Sequence, residues 1–474
     1  LKTGRSKDGT ALIFALALDL QQAPPYGVPS IQFITPIHSM SNPQNAPLSR
    51  RELIKNSTLV GAGMLAFPYV MRGQADADNS LIRIGLIGCG GRGSGAADQT
   101  LSVQGSNVKL TAIADAFESK VEKTVQGLKS KHSDKVDLPP ERCFHGLDAY
   151  TKVFEHCDLV ILATPPGFRP QHFAAAVNAG KHVFMEKPVC VDAVGAKRVL
   201  EAAKEADKKG LKVVVGLQRH YDEKYRETAK RVHDGMIGDI IQANVYWNGA
   251  GIWWRKPEEG MTPMMAQIHN WYHFAYLSGD HICEQHVHNL DVANWFLGQT
   301  PTSAFGVGGR QFRNPDQPSE IFDHFGINYI YPSGASVASQ CRQYPGQGRV
   351  AEDFRGTKGI CEIGKIMDYQ GNIIWKYDSK PANAYQVEHD ELHNFIRKNI
   401  PHNDAYYGAT SSFTAALGRY AAYTGKELKW DATLALNDSQ MPDHIDANTV
   451  PPVKPNADGS YTLPNPRDYK IVGS

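Results

Sequence analysis

The stretch CEQHVHNLD, residues 283–291, sets two histidines and two carboxylates within nine positions. Imidazole exchanges protons near neutral pH, where its unperturbed pKa of about 6.5 lies. His and carboxylate together also suit a metal ion, and a buried His–Asp pair is common core chemistry. A second reactive type stands in MEKP, residues 185–188, where the Lys187 ammonium could stabilise a developing alkoxide. A third feature is GCGGRG, residues 88–93, which supplies Gly88, Gly90 and Gly93 at G-x-G-x-x-G spacing, with Gly91 and Arg92 between them. The first glycine permits a tight turn, the second lets backbone approach a pyrophosphate, and the third allows close helix–strand packing.

The elements around these residues decide whether they can act together. LIRIGLI (81–87) is a β-rich run directly before the glycines, and VKLTAIAD ends in Asp115, 22 residues after Gly93. A carboxylate there accepts hydrogen bonds from ribose hydroxyls and repels a 2′-phosphate, so NAD is expected in preference to NADP. Strand-like and helix-like segments then alternate through LKVVVGL (211–217), which predicts a parallel, doubly wound sheet over residues 78–217. Ligands bind beyond the C-terminal strand ends of such sheets. That rule puts Thr164, Pro165, Pro166, Glu186, Lys187, Gln218, Arg219 and His220 along one rim beside the cofactor.

From Ile240 several segments show strand-like period two, and residues 387–400 and 411–425 read as helices. Residues 283–298 also follow helical spacing, with entry near Glu284. On that helix Glu284 and His288 share a face at i and i+4, His288 and Asp291 at i and i+3, and His286 points elsewhere. Glu284, His286 and His288 therefore do not converge, and no HExxH is present, so no metal is expected. His288 as a core histidine satisfied by Asp291 remains the alternative.

GCGGRG, Asp115, ATPPGFRPQHFAAAVNAGKHVFMEKPV and EQHVHNLD together resemble the Gfo/Idh/MocA (glucose–fructose oxidoreductase/inositol dehydrogenase) family, in order and spacing, from about residue 81 to 430. The resemblance implies a Rossmann domain followed by an α/β domain with an open, mostly antiparallel sheet. It also implies NAD(P)-dependent oxidation or reduction at a hydroxyl or carbonyl of a sugar or cyclitol. The family's D-x-G-x-H-x-x-D pattern falls on Glu284, His288 and Asp291, beside Lys187; Glu284 replaces the first Asp and His286 the Gly. The implied roles are general acid–base for His288, electrostatic support for Lys187 and a secondary orienting part for Glu284. Arg219, His220, Trp254, Arg255, His286 and Asp291 are the candidates for substrate contact. Five of seven tryptophans fall within residues 247–295, so aromatic faces are available to stack on a sugar ring, although core packing explains them equally well.

Composition bounds the partners. Net charge is +1, so there is no basic field to attract nucleic acid. The seven cysteines form no CxxC pair and are odd in number, against a full disulfide framework. Residues 1–39 lack methionine and are expected to be non-functional upstream sequence. Residues 40–77 resemble a twin-arginine export signal: Arg50 and Arg51, an apolar run near 58–71, then Ala75-Asp76-Ala77. The run falls short of the ~20 apolar residues a span needs. The expected product is periplasmic, beginning near Asp78, or membrane-tethered if the signal is uncleaved. Residues 218–435 form the expected second domain, and the polar residues 436–474 a surface tail. The exposed face of an open sheet suggests a homodimer or homotetramer. A compartment without a nucleotide pool suggests a tightly held, recycled cofactor. Two alternatives stand beside dehydrogenation: a redox-neutral glycosidase or lyase acting through a keto-sugar, and a noncatalytic sugar-binding protein on the same fold.

Overall fold

A computed structural model describes residues 79–471 except 438 and 443. The upstream segment and the twin-arginine stretch lie outside the described residues. In the first domain, β1 (Ile82–Ile87), β2 (Val108–Asp115), β3 (Cys143–His145), β4 (Leu159–Leu162), β5 (His182–Met185) and β6 (Val213–Val215) form one sheet in the order β3-β2-β1-β4-β5-β6. Every pairing in it is parallel. The inner strands are apolar on both faces because helices cover both sides: β4 and the last four residues of β1 are wholly buried. The covering helices are α1 (Gly91–Leu101), α2 (Glu118–Lys131), α3 (Arg169–Asn178) and α4 (Ala193–Lys208). The order reverses at β1 and β4, so the crevice where a dinucleotide lies opens beyond Ile87 and Leu162.

The second domain begins with α5 (Glu223–His233) and β7 (Ile240–Gly249), followed by α6 (Pro263–His269), α7 (Asp280–Glu284) and α8 (Val287–Leu297). Strands β8 (Ser303–Gly309), β9 (His324–Ile330), β10 (Ser336–Gln343), β11 (Arg349–Gly356), β12 (Ile360–Glu362), β13 (Lys365–Met367), β14 (Ile373–Lys376) and β15 (Leu428–Lys429) join β7 in a nine-stranded sheet. Its order is β14-β13-β12-β11-β7-β10-β9-β8-β15, and only β7 and β10 pair in parallel. In β9 and β10 buried residues alternate with more accessible ones, which leaves one face open. The buried face packs on α8 and on α10 (Ala405–Thr424), a small-residue helix that comes close to β9: a Cβ at Gly418 would stand 2.0 Å from the Tyr329 hydroxyl. Helix α9 (Ala384–Arg397) returns to the first domain, where His389 bonds Thr100 of α1 at 2.7 Å. Among the described residues no helix is long and apolar enough to cross a membrane.

One expectation about the helix near Glu284 is corrected. There are two helices: α7 ends at Glu284, and α8 begins at Val287. The break falls at Gln285–His286, so Glu284 and His288 do not share one continuous helical face.

Candidate active site

The glycine turn has the properties a dinucleotide cradle needs. Gly88 sits at φ +100°, where side chains are strained, and a Cβ there would lie 2.5 Å from the Ala163 carbonyl carbon. A Cβ at Gly93 would lie 1.8 Å from the Gly88 carbonyl oxygen, so α1 can approach β1 only with glycine at that point. At Gly90 and Gly91 a Cβ would meet nothing within 4 Å, so the backbone there faces open space. No side chain caps the N-terminus of α1, whose free N–H groups suit a pyrophosphate. The Asp115 carboxylate accepts from Cys89 N at 2.7 Å and from Phe117 N at 3.0 Å, which ties the turn to β2 and leaves lone pairs for ribose hydroxyls. A cleft opens beside this turn. It is lined by Gly88, Asp115, Thr164 and Pro165 from the first domain and by Ile268 and Trp271 from the second. These residues fit NAD. Pro166 does not line the cleft; it begins a buried 3₁₀ turn. Arg92 and Glu186 pair with each other at 2.6 Å.

Lys187 follows β5 and precedes Pro188 through a cis peptide bond. Its Nζ donates to the Glu284 backbone carbonyl and to Glu284 Oε1 at 3.2 Å; each side chain is 10% exposed. Glu284 Oε2 accepts from Gln285 Nε2 at 2.6 Å. His288 lies in the first turn of α8, its ring stacked on the Trp247 indole at 5.8 Å. Burial first, then the cations Lys187, Arg219 and Arg92, hold the imidazole well below its usual range. It is therefore neutral at physiological pH and able to accept a proton. Its Nδ1 is buried with no hydrogen-bond partner among the described residues.

Several candidates for substrate contact are engaged by other side chains. Arg219 is locked in a buried ion pair with Glu352, whose carboxylate also accepts from Asn289 and Tyr225. His220 bonds Asp291 at 2.8 Å between the faces of Trp295 and Tyr407, both 4.2 Å away, and Asp291 also accepts from Ser411. Both members of that pair are thereby satisfied within the core. His286 turns onto the buried face of the large sheet and meets Ser339 at 2.8 Å, and burial lowers its pKa to about 3. It is away from Glu284 and His288, so these three do not form a metal site. Trp254 packs edge-on against His273. Arg255 is exposed and acts electrostatically on Lys120 and His269, at the adenosine end of the cleft. Sequence reasoning missed Trp247 as the platform under His288, Glu352 as the partner of Arg219, and Tyr272 and Gln343, which meet at 2.7 Å next to Glu284. Only the clustering of aromatics hinted at Trp247 and Tyr272.

A switch-point cleft built for a dinucleotide, with a lysine and a neutral imidazole nearby, defines an NAD(P)-dependent oxidoreductase. Residues 82–216 match the GFO/IDH/MocA oxidoreductase family model with its NAD-binding Rossmann fold, and residues 225–362 match the GFO/IDH/MocA C-terminal domain. The chain belongs to this family. It is 28% identical over 236 residues to inositol 2-dehydrogenase of Acidiphilium cryptum, a match spanning 49% of this chain and 59% of that protein. It is 25% identical over 366 residues to inositol 2-dehydrogenase of Rhizobium meliloti, covering 76% and 96%. The fold is shared with scyllo-inositol dehydrogenase from Lactobacillus casei, solved with NAD(H) and scyllo-inositol: TM-score 0.55, 21% identity, 74% of this chain and 100% of that one.

Proposed function

We propose that the protein oxidises a secondary hydroxyl of a cyclitol or related sugar, with NAD as hydride acceptor. The observation that carries this reading is the convergence of Lys187 and the neutral His288 at the ligand edge of the nucleotide-binding sheet. NAD, when bound, supplies the electron sink. Lys187 donates a hydrogen bond to the substrate oxygen as its charge grows, Glu284 orients Lys187, and His288 takes the hydroxyl proton. Trp247 holds the imidazole face and offers an apolar surface to a ring. The dehydrogenase names among the relatives favour this reading over the redox-neutral glycosidase and the noncatalytic binder.

The cofactor is held tightly, and the exported location read from the twin arginines would require that. Helix α6, which contributes Ile268 to the cleft, is tied down by the C-terminal segment: Gln267 Nε2 donates to the Val453 carbonyl at 2.7 Å, and the Thr262 hydroxyl to Ala447. The same segment is fastened to the first domain, where Gln440 N donates to Asp192 at 2.8 Å. Phe305 and Val307, 41% and 71% exposed on the open sheet face, support a homodimer or homotetramer. The test is to denature purified protein and assay the NAD(H) released, then incubate native protein with cyclitols and sugars. Reduced nicotinamide and a keto product in equal amounts are expected. Bond cleavage without net reduction, or unaltered sugars, would sink the reading.

A further inference from the structure

We infer that Arg169 is a buried cation without a counter-ion behind the cofactor cleft, and that its charge shifts bound NAD toward the reduced form. The inference rests on the NAD-dependent reading above. Arg169 opens α3 and is 1% exposed. Its Nη2 donates to the carbonyl of Thr164, a residue that lines the cleft, at 2.5 Å, and its Nη1 donates to the carbonyl of Leu162. That Leu162 carbonyl also accepts from Glu186 N at 2.9 Å. The guanidinium thus shares an acceptor with the backbone that presents Lys187. Its Nε is buried with no partner among the described residues.

Arg169 forms no ion pair among the described residues. The two carboxylates whose charge it feels are committed to other cations, Glu186 to Arg92 at 2.6 Å and Glu284 to Lys187 at 3.2 Å. Three cations therefore stand against two carboxylates at the ends of β4 and β5. The uncharged neighbours do not restore the balance. Burial keeps His288 and His172 neutral, the latter with Nδ1 3.1 Å from the Thr164 hydroxyl. Burial also pushes the Glu388 carboxyl of α9, whose oxygens have no partner among the described residues, toward its protonated form. Arg169 itself is lowered by burial to about 10, so it is charged at neutral pH. Helix stability does not account for that charge: a cation in the first turn opposes the macrodipole, and burying it unpaired is costly. A ligand that gains negative charge offsets the cost. In the proposed reaction a hydride, two electrons and one proton, leaves the substrate carbon for NAD, and the hydroxyl proton goes to His288. NADH carries one more negative charge than NAD⁺, so a fixed cation nearby favours it.

The test needs no substrate. The nucleotide of the purified protein is exchanged against an equimolar mixture of isotopically labelled NAD⁺ and NADH, and the bound ratio is read by mass spectrometry after denaturation. Wild type is expected to retain NADH over NAD⁺ by ~10-fold or more. Equal retention would overturn the inference whether or not any variant folds. Arg169→Gln removes the charge but keeps an amide donor for a backbone carbonyl. It is expected to cut the preference ~10-fold, a fall of about 30 mV in the potential of the bound two-electron couple. Arg169→Lys keeps the charge and is expected to retain most of the preference. An unchanged ratio in Arg169→Gln would overturn the inference, and so would equal losses in the two variants, which would mark a purely structural role. A ratio that follows the charge in a protein that oxidises no cyclitol or sugar would instead reject the dehydrogenase reading alone.

Discussion

Lys187 and His288 come from different domains, yet the imidazole titrates under the influence of the amine. Burial and three nearby cations keep His288 unprotonated well into acid. Its protonation therefore contributes no fall in kcat/KM near pH 6.5, and a profile with a histidine-like limb there would contradict this electrostatic account. Replacing His288 by Ala should cost ~10²- to 10⁴-fold in kcat, the usual worth of a positioned base. Bound NAD should be unchanged, because the glycine cradle is untouched; released nucleotide and turnover are measured on the same preparation. Arg219 illustrates what residue type leaves open: at a strand end it suits substrate binding or a structural ion pair equally, and in the structure its buried guanidinium has a fixed counter-charge in Glu352. His220 and Asp291 likewise satisfy each other.

At the scale of elements, the nucleotide half matched its pattern closely, since alternating apolar strands and amphipathic helices leave few ways to close a parallel sheet. The break between α7 and α8 was not legible, because the apolar residues of 283–298 fit helical spacing whether or not the backbone continues. Polar composition identified residues 436–474 as a surface tail but carried no information on what they fasten. Here they join α6 to the capping residue of α4. Met441 of the same segment packs against the cluster that includes Phe168 and Ile268, so loosening the strap with Gln267→Ala and Met441→Ala together should raise the NAD dissociation rate by ~10-fold, the equivalent of about 1.4 kcal/mol. Exchange against labelled NAD measures it, and kcat at saturating NAD should hold. Retention unchanged in the variant would mean that the strap does not guard the cofactor.

Across the whole molecule, buried neutral histidines couple stability to pH. His172, His286 and His393 are lowered from 6.5 to about 3, and His273 from 6.5 to about 4, in each case with burial as the largest cause. The unfolded chain takes up these protons as pH falls through 6.5 and the folded chain does not. Their contribution is thus complete above 6.5 and is lost progressively toward pH 4, at about 1.4 kcal/mol per pH unit for each fully buried ring. Glu320, raised from 4.5 to about 7 by burial, runs the opposite way and offsets one of the four. Scanning calorimetry should show Tm falling steeply between about pH 6.5 and 4. A level Tm over that range would mean that these rings are solvated or partnered by water.

The sequence by itself determined the nucleotide-binding domain, the glycine cradle with Asp115 and the identities of Lys187, Glu284 and His288. Those features depend on local spacing, on backbone space that only glycine leaves, and on residue types with narrow chemical uses. Tertiary structure alone decided which polar side chains face the site and which face one another. A buried charge or imidazole goes wherever a partner from a distant element can satisfy it, and Glu352, Ser339 and Gln343 lie tens of residues from the groups they serve.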